Sequence, residues 1–243
     1  MKPRSPFGWA LIAGVVVIAA AFVPVLWQMV AQPRGVQAPG AFSLPAAPAA
    51  GRLPAPWQIE RDEAGRVHAF GLLLPGSTLG DARELLGVDL QVALLASGSR
   101  PLALEAYFER YSGGGVDGKL VLATDADAAT LAHWRARAGK RELISEEASR
   151  WRLDAADLAE ALSTRISGLS FLPAGRIDAA TLRARFGEPA EVLPGEGSVQ
   201  HWLYPQRGLA IAWDEARGRA LLQVTTVDTF ESRLRVPLLQ PSK

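Results

Sequence analysis

The sequence predicts an α+β fold: an N-terminal transmembrane helix, then two repeats of a short helix laid on an antiparallel sheet. Three observations lead there. Residues 7–30 carry no charge, residues 31–56 hold six prolines, and "TLGDARELLG" at 78–87 is echoed by "DAATLRARFGEP" at 178–189. The chain then divides into a cytoplasmic N-terminus and anchor at 1–30, a Pro/Ala-rich linker at 31–56, a first repeat at 57–153, a second at 154–230 and a C-terminal tail at 231–243.

The first segment reads "FGWALIAGVVVIAAAFVPVLWQMV". As a helix it is roughly 36 Å long, enough to cross a hydrocarbon core of about 30 Å. Trp9 and Trp27 stand near its ends, where aromatic rings favour the interface. Lys2 and Arg4 precede it and the next charge is Arg34, so the positive-inside rule predicts a single-pass inner-membrane protein with the rest of the chain in the periplasm. A cleaved signal peptide fits less well, because the run is long and Met29 stands where a small residue is wanted. The prolines that follow favour a semi-extended spacer of at most about 80 Å.

From Trp57 the pattern becomes alternating and helical. "WQIERDEAGRVHAFGL" predicts a short hairpin turning at "DEAG". In "LPGSTLGDARELLG", Thr78 is placed to cap a helix with Asp81 three residues on, Gly87 to end it, and Leu79, Ala82, Leu85 and Leu86 to form its buried stripe. Two strands follow, "PLALEAYFERY" and "KLVLAT", joined by "SGGGVDG", and then a helix in "DADAATLAHWRARAG". The second half has a helix capped by Asp154, a strand in "RISGLSFLP", and a helix with Asp178 as cap, Ile177 and Leu182 as staple and Gly187 as stop. Three strands come after it: "VQHWLYP", "GLAIAWD" and "ALLQVTTV", the third without a clear twin in the first half.

Composition narrows the function classes. A net charge of +1 argues against a nucleic-acid-coating protein. The absence of cysteine removes disulfides, thiolate metal sites and thiol nucleophiles. His68, His133 and His201 lie far apart, and no metal or cofactor is expected. "DADAA" at 125–129 lacks the glycine and terminal glutamate of a calcium loop and is expected to supply a helix cap through Asp125 or Asp127. "GGG" at 113–115 lacks the Lys-Ser/Thr pair of a phosphate cradle and reads as a turn. Glu146 and Glu147 read as a solvated pair, and neither Ser149 nor Ser170 sits in a nucleophile-elbow frame. No catalytic residue is expected. The expected contacts are aromatic: Tyr107, between Glu105 and Glu109 on one strand face, and Trp202 with Tyr204, which share a face with Gln200.

The stretches "LPGSTLGDARELLG" and "LRARFGEPAEV…HWLYPQRGLAIAWDE" resemble the SmpA/OmlA-type, BamE-like repeat, over roughly 72–125 and 172–227. Pro75, Gly76 and Thr78 match the helix start of that repeat in the first copy; Gly187, Pro189, Trp202 and Tyr204 match its helix end and aromatic strand in the second. The first copy lacks the proline after Gly87, and the lipobox cysteine of the outer-membrane lipoproteins is absent. Tandem pairs of the unit also resemble the β-lactamase inhibitor protein, in which a concave sheet grips another protein. The layout as a whole resembles uncharacterised proteobacterial membrane-anchored proteins. The resemblance implies a tethered module that binds or scaffolds an envelope protein, with residues 7–30 in the membrane. The alternative expectation is a sensor domain for a small ligand or peptidoglycan, which would show a pocket of convergent polar groups between the two repeats.

Overall fold

The structure, a computed structural model, describes residues 53–97, 101–145 and 148–240. The apolar run at 7–30 and the linker as far as residue 52 lie outside the described residues. The expected single-pass placement in an inner membrane is not supported: among the described residues, no helix is long and apolar enough to cross a membrane.

The chain enters through a small antiparallel sheet of three strands, β1 (Ile59–Arg61), β2 (Val67–Ala69) and β3 (Leu72–Leu74). The first turn is tied by Asp62, which accepts the Arg66 amide at 2.9 Å and its Nε at 2.7 Å. Val67, Ala69, Leu72 and Leu74 point inward from β2 and β3 and are almost wholly buried. Helix α1 (Leu79–Leu86) follows. Thr78 and Asp81 close a reciprocal capping box, which satisfies two backbone donors that the helix itself leaves open. Leu79, Ala82 and Leu86 are buried at helical spacing, while Leu85, expected in the same stripe, is 46% exposed.

Next comes a meander of three strands: β4 (Gln91–Ser97), β5 (Ala103–Gly113) and β6 (Val116–Thr124). Helix α2 (Ala128–Arg137) is capped by Asp127, whose carboxylate accepts the amides of Ala129 and Thr130. Strands β7 (Arg141–Leu143) and β8 (Ala148–Arg152) lead to α3 (Ala155–Ala161), capped by Asp154. Strand β9 (Ile166–Pro173) precedes α4 (Ala179–Phe186), capped by Asp178 at 2.6 Å from the Thr181 amide. The chain then runs through β10 (Glu191–Pro194), β11 (Val199–Tyr204), β12 (Leu209–Asp214) and β13 (Arg219–Thr225).

Ten of these strands form one sheet in the order β10-β11-β12-β13-β9-β6-β5-β4-β8-β7, and every neighbouring pair is antiparallel. This corrects the expected α+β arrangement of a transmembrane helix and two helix-on-sheet repeats. The described chain is mostly β, with one continuous ten-stranded sheet, a second sheet of three strands and helices of ten residues or fewer. The physical reason lies in β9. All of its residues except Ser170 are buried, so it is covered on both faces, as a central strand is. It pairs with β6 on one side and β13 on the other, and so fuses the two meanders across the position where the repeats were expected to part.

One face of the sheet carries the main core. Leu94, Leu104, Phe108, Leu120, Leu122, Phe171, Leu222 and Ile211 pack there against the helices and the small sheet. Phe70, Tyr111 and Phe171 clasp the two sheets together, with ring centroids 5.2–5.7 Å apart. On the opposite face, the end of the expected second repeat forms a helical turn, Val227–Thr229, and residues expected in a C-terminal tail form a further turn, Glu231–Arg235, and a last short helix, Val236–Leu238. They seat Phe230 and Leu234 on Leu203 and Ala210. The bidentate pair of Arg235 with Glu191, at 2.6 and 3.0 Å, ties this segment to the sheet edge.

The β12–β13 turn depends on one buried carboxylate. Asp214 is fully buried and accepts the Ser198 hydroxyl at 2.7 Å, the Arg217 amide at 3.1 Å and the Arg217 guanidinium at 2.7 Å. Burial alone would raise its pKa, but these donors more than offset it and hold the carboxyl below its ordinary value. Asp214→Ala is expected to cost about 2–3 kcal/mol, read from urea unfolding. Because the folded pKa is depressed, the contribution is present above the ordinary value of 3.8 and fades as the pH falls through the lower folded value. The native and variant chains should therefore converge in acid; a gap that stays constant down to the lowest pH tested would refute this account.

Candidate functional site

A cleft of about 500 Å³ opens where the β5–β6 turn meets α4 and the connection from β9 to α4. Trp57 closes one side. The glycines of the turn explain how this wall is built. A Cβ on Gly114, which has φ +60°, would stand 2.4 Å from the Ala55 Cβ, so only glycine lets the entering chain lie across the hairpin tip. The Tyr111 hydroxyl, which donates to the Pro54 carbonyl, pins that chain from below. Trp57 is thereby held over the cleft with the Arg185 guanidinium 4.2 Å from its ring centre.

The floor is apolar. Phe171 and Leu222 rise from the sheet, both nearly inaccessible to solvent, and Leu182 and Phe186 descend from the buried face of α4. The rim is charged. Arg176 donates its Nε to the Arg217 carbonyl at 3.0 Å, which orients the side chain along the opening. Asp117 is the lone carboxylate in the lining.

The structure places the expected aromatic anchors differently from one another. Trp202 and Tyr204 do share a face, but it is the core face: they are 1% and 6% exposed. The Trp202 N–H donates to the Gln200 Oε1 at 3.0 Å and its ring lies 5.5 Å from Trp213. The Tyr204 hydroxyl donates to the Gly187 carbonyl at 3.0 Å, and its ring packs on Phe186 at 6.3 Å. Both rings sit under α4 with their polar atoms satisfied, so neither is a surface anchor. Gln200 gives the face a polar look in the sequence, yet its role there is to accept the indole N–H.

Tyr107 lies on the opposite face and is half-buried. Its hydroxyl donates to the Gln91 Oε1 at 2.9 Å and accepts from Arg150, which itself grips Glu142 at 2.8 and 2.9 Å. The Lys119 ammonium stands 4.5 Å from its ring centre. Burial, chiefly, raises the Tyr107 hydroxyl above its ordinary pKa. The ring packs against an apolar cluster of Val121, Leu172, Ala212 and Leu221, all of them strand residues.

The other residues weighed in the sequence disperse. His68 leans on Asp62 at 3.3 Å, His133 on Arg137 at 3.1 Å, and His201 is buried, which lowers its pKa. Asp127 caps α2, while Asp125 pairs with Arg233. Ser149 is buried and accepts from Arg141 at 2.7 Å; Ser170 lies in β9. Glu146 and Glu147 lie outside the described residues. Among the described residues, no three His, Asp or Glu side chains are grouped as a metal site requires. The cleft went unread in the sequence because its parts stand at positions 57, 114–117, 171–186 and 222, with no local motif to join them. No family model, curated protein or solved structure matches this chain.

Proposed function

We propose that this chain is a binding module that acts by holding a ligand in the cleft between the β5–β6 turn and α4. One observation carries the reading: a concave space of about 500 Å³ with an apolar floor and a few charged groups at its mouth. Small-molecule sites commonly have volumes of about 300–1,000 Å³ and that same division between apolar lining and sparse polar groups. Its walls come from both halves of the chain, so folding of the whole sheet preorganises it.

The test is titration with the neutral, apolar dye Nile red, whose emission rises on entering an apolar site. Ala174 is exposed, lines the cleft and uses only its backbone in the fold: its amide donates to the Asp117 carbonyl and its own carbonyl accepts from Arg219. Ala174→Trp should fill the space and weaken dye binding about tenfold or more with an unchanged circular dichroism spectrum. Equal binding by native and filled chains would show that the dye, and the module, bind elsewhere.

A second reading keeps a partner protein in view. Tyr107, with the apolar cluster beside it, offers an aromatic on the far sheet face. Tyr107→Ala should then weaken crosslinking to a partner, whereas Ala174→Trp should not.

A further inference from the structure

We propose that the cleft selects an amphiphile with an apolar body and a single carboxylate, of the long-chain monocarboxylate class, and that Arg176 and Arg185 hold the carboxylate. This rests on the cleft being the binding site. The apolar floor of Phe171, Leu182, Phe186 and Leu222 suits a hydrocarbon body, which gains free energy for each methylene removed from water. The mouth sets the sign of the head group. Two guanidiniums face one carboxylate, Asp117, which leaves one positive charge in excess and matches a monoanion better than a dianion.

Neither Arg176 nor Arg185 is in an ion pair among the described residues, although many arginines of this chain are: Arg137, Arg150, Arg183, Arg217, Arg233 and Arg235 each grip a carboxylate. The cation–π contact with Trp57 holds the Arg185 guanidinium 4.2 Å from the ring centre without using its N–H donors. The bond from the Arg176 Nε to the Arg217 carbonyl anchors that side chain and leaves its terminal nitrogens for a ligand. A planar fork held in place is what a carboxylate oxygen pair recognises best, because little side-chain entropy remains to be lost on binding.

The experiment displaces Nile red from the full chain with three ligands of equal chain length, below the concentrations at which they form micelles: decanoate, decanol and decyltrimethylammonium. Decanoate should displace the dye at about tenfold lower concentration than decanol, and the cation should be the weakest of the three. In the double variant Arg176→Gln, Arg185→Gln the ratio of decanol to decanoate midpoints should fall to about one, and in the native chain it should shrink as salt is raised. Decanol and decanoate displacing equally from the native chain would overturn the assignment while leaving the cleft as the site. A ratio that survives the double substitution would overturn the role of the two arginines. If Ala174→Trp fails to weaken dye binding, the cleft reading falls, and this inference with it.

Discussion

Replacing Trp202 with alanine is expected to cost about 3–5 kcal/mol of stability, a large part of what a domain of this kind has to lose. The ring is 1% exposed and lies between β11 and α4, against Trp213 and beneath the Arg183 guanidinium at 4.7 Å. Truncation leaves a cavity bounded by the helix on one side and paired strands on the other, so the walls cannot collapse far. It also strands the Gln200 carbonyl oxygen, which accepts the indole N–H at 3.0 Å. Tyr204→Phe is the milder companion: it keeps the ring on Phe186 and removes only the bond to the Gly187 carbonyl, for about 1 kcal/mol. Chemical unfolding of the two variants separates the roles. If Trp202 were a surface anchor, Trp202→Ala would unfold at the native denaturant concentration and lose only partner capture. A native midpoint for that variant would contradict the packing described above.

Local devices were legible in the sequence and long-range ones were not. Thr78, Asp127, Asp154 and Asp178 each cap a helix, because a cap depends on a side chain and amides two or three residues away. Alternation in β5 correctly separated Leu104, Ala106 and Phe108 from Glu105, Tyr107 and Glu109. Strand β4 escaped notice because "QVALLAS" has no clean alternation: only Leu94 is buried, Gln91 is exposed and the rest are partly covered. The helical turns of 227–238 escaped because Phe230 and Leu234 find their partners on strands twenty or more residues earlier. Alternation also cannot say which face of a strand is inside, and that is why Trp202 and Tyr204 read as anchors. Nor does the sequence of β9, where Ser167, Gly168 and Ser170 interrupt the apolar residues, announce a central strand paired on both edges, which is what overturns two separate units. The cleft needs the finished sheet: Trp57, Gly114, Arg176 and Arg185 meet only because β6 and β9 pair.

Glu105→Gln is expected to stabilise the chain at neutral and alkaline pH, against the usual direction for a core substitution. Glu105 sits in the middle of β5, opposite Ala93 of β4 and Ala123 of β6, and is 9% exposed. Burial pushes its carboxyl up to about 8, and the positive charge of Lys119 only partly counters this. The sign follows from proton counting. Between the ordinary value of 4.5 and about 8, the folded chain keeps a proton that the unfolded chain has released. Stability therefore falls as pH rises through that window, and is fully retained below it. At roughly 1.4 kcal/mol for each unit of separation, this one group accounts for a loss of roughly 3–5 kcal/mol from acid to alkaline conditions. Glutamine keeps the shape and polarity of the neutral acid and carries no charge at any pH. Urea midpoints measured at about pH 5 and about pH 9 should nearly coincide for the two chains at the lower value and separate at the higher, with the variant more stable. Parallel pH profiles would mean that Glu105 ionises as freely in the folded chain as in the unfolded one, and that the face carrying Tyr107 is wetter than its packing implies.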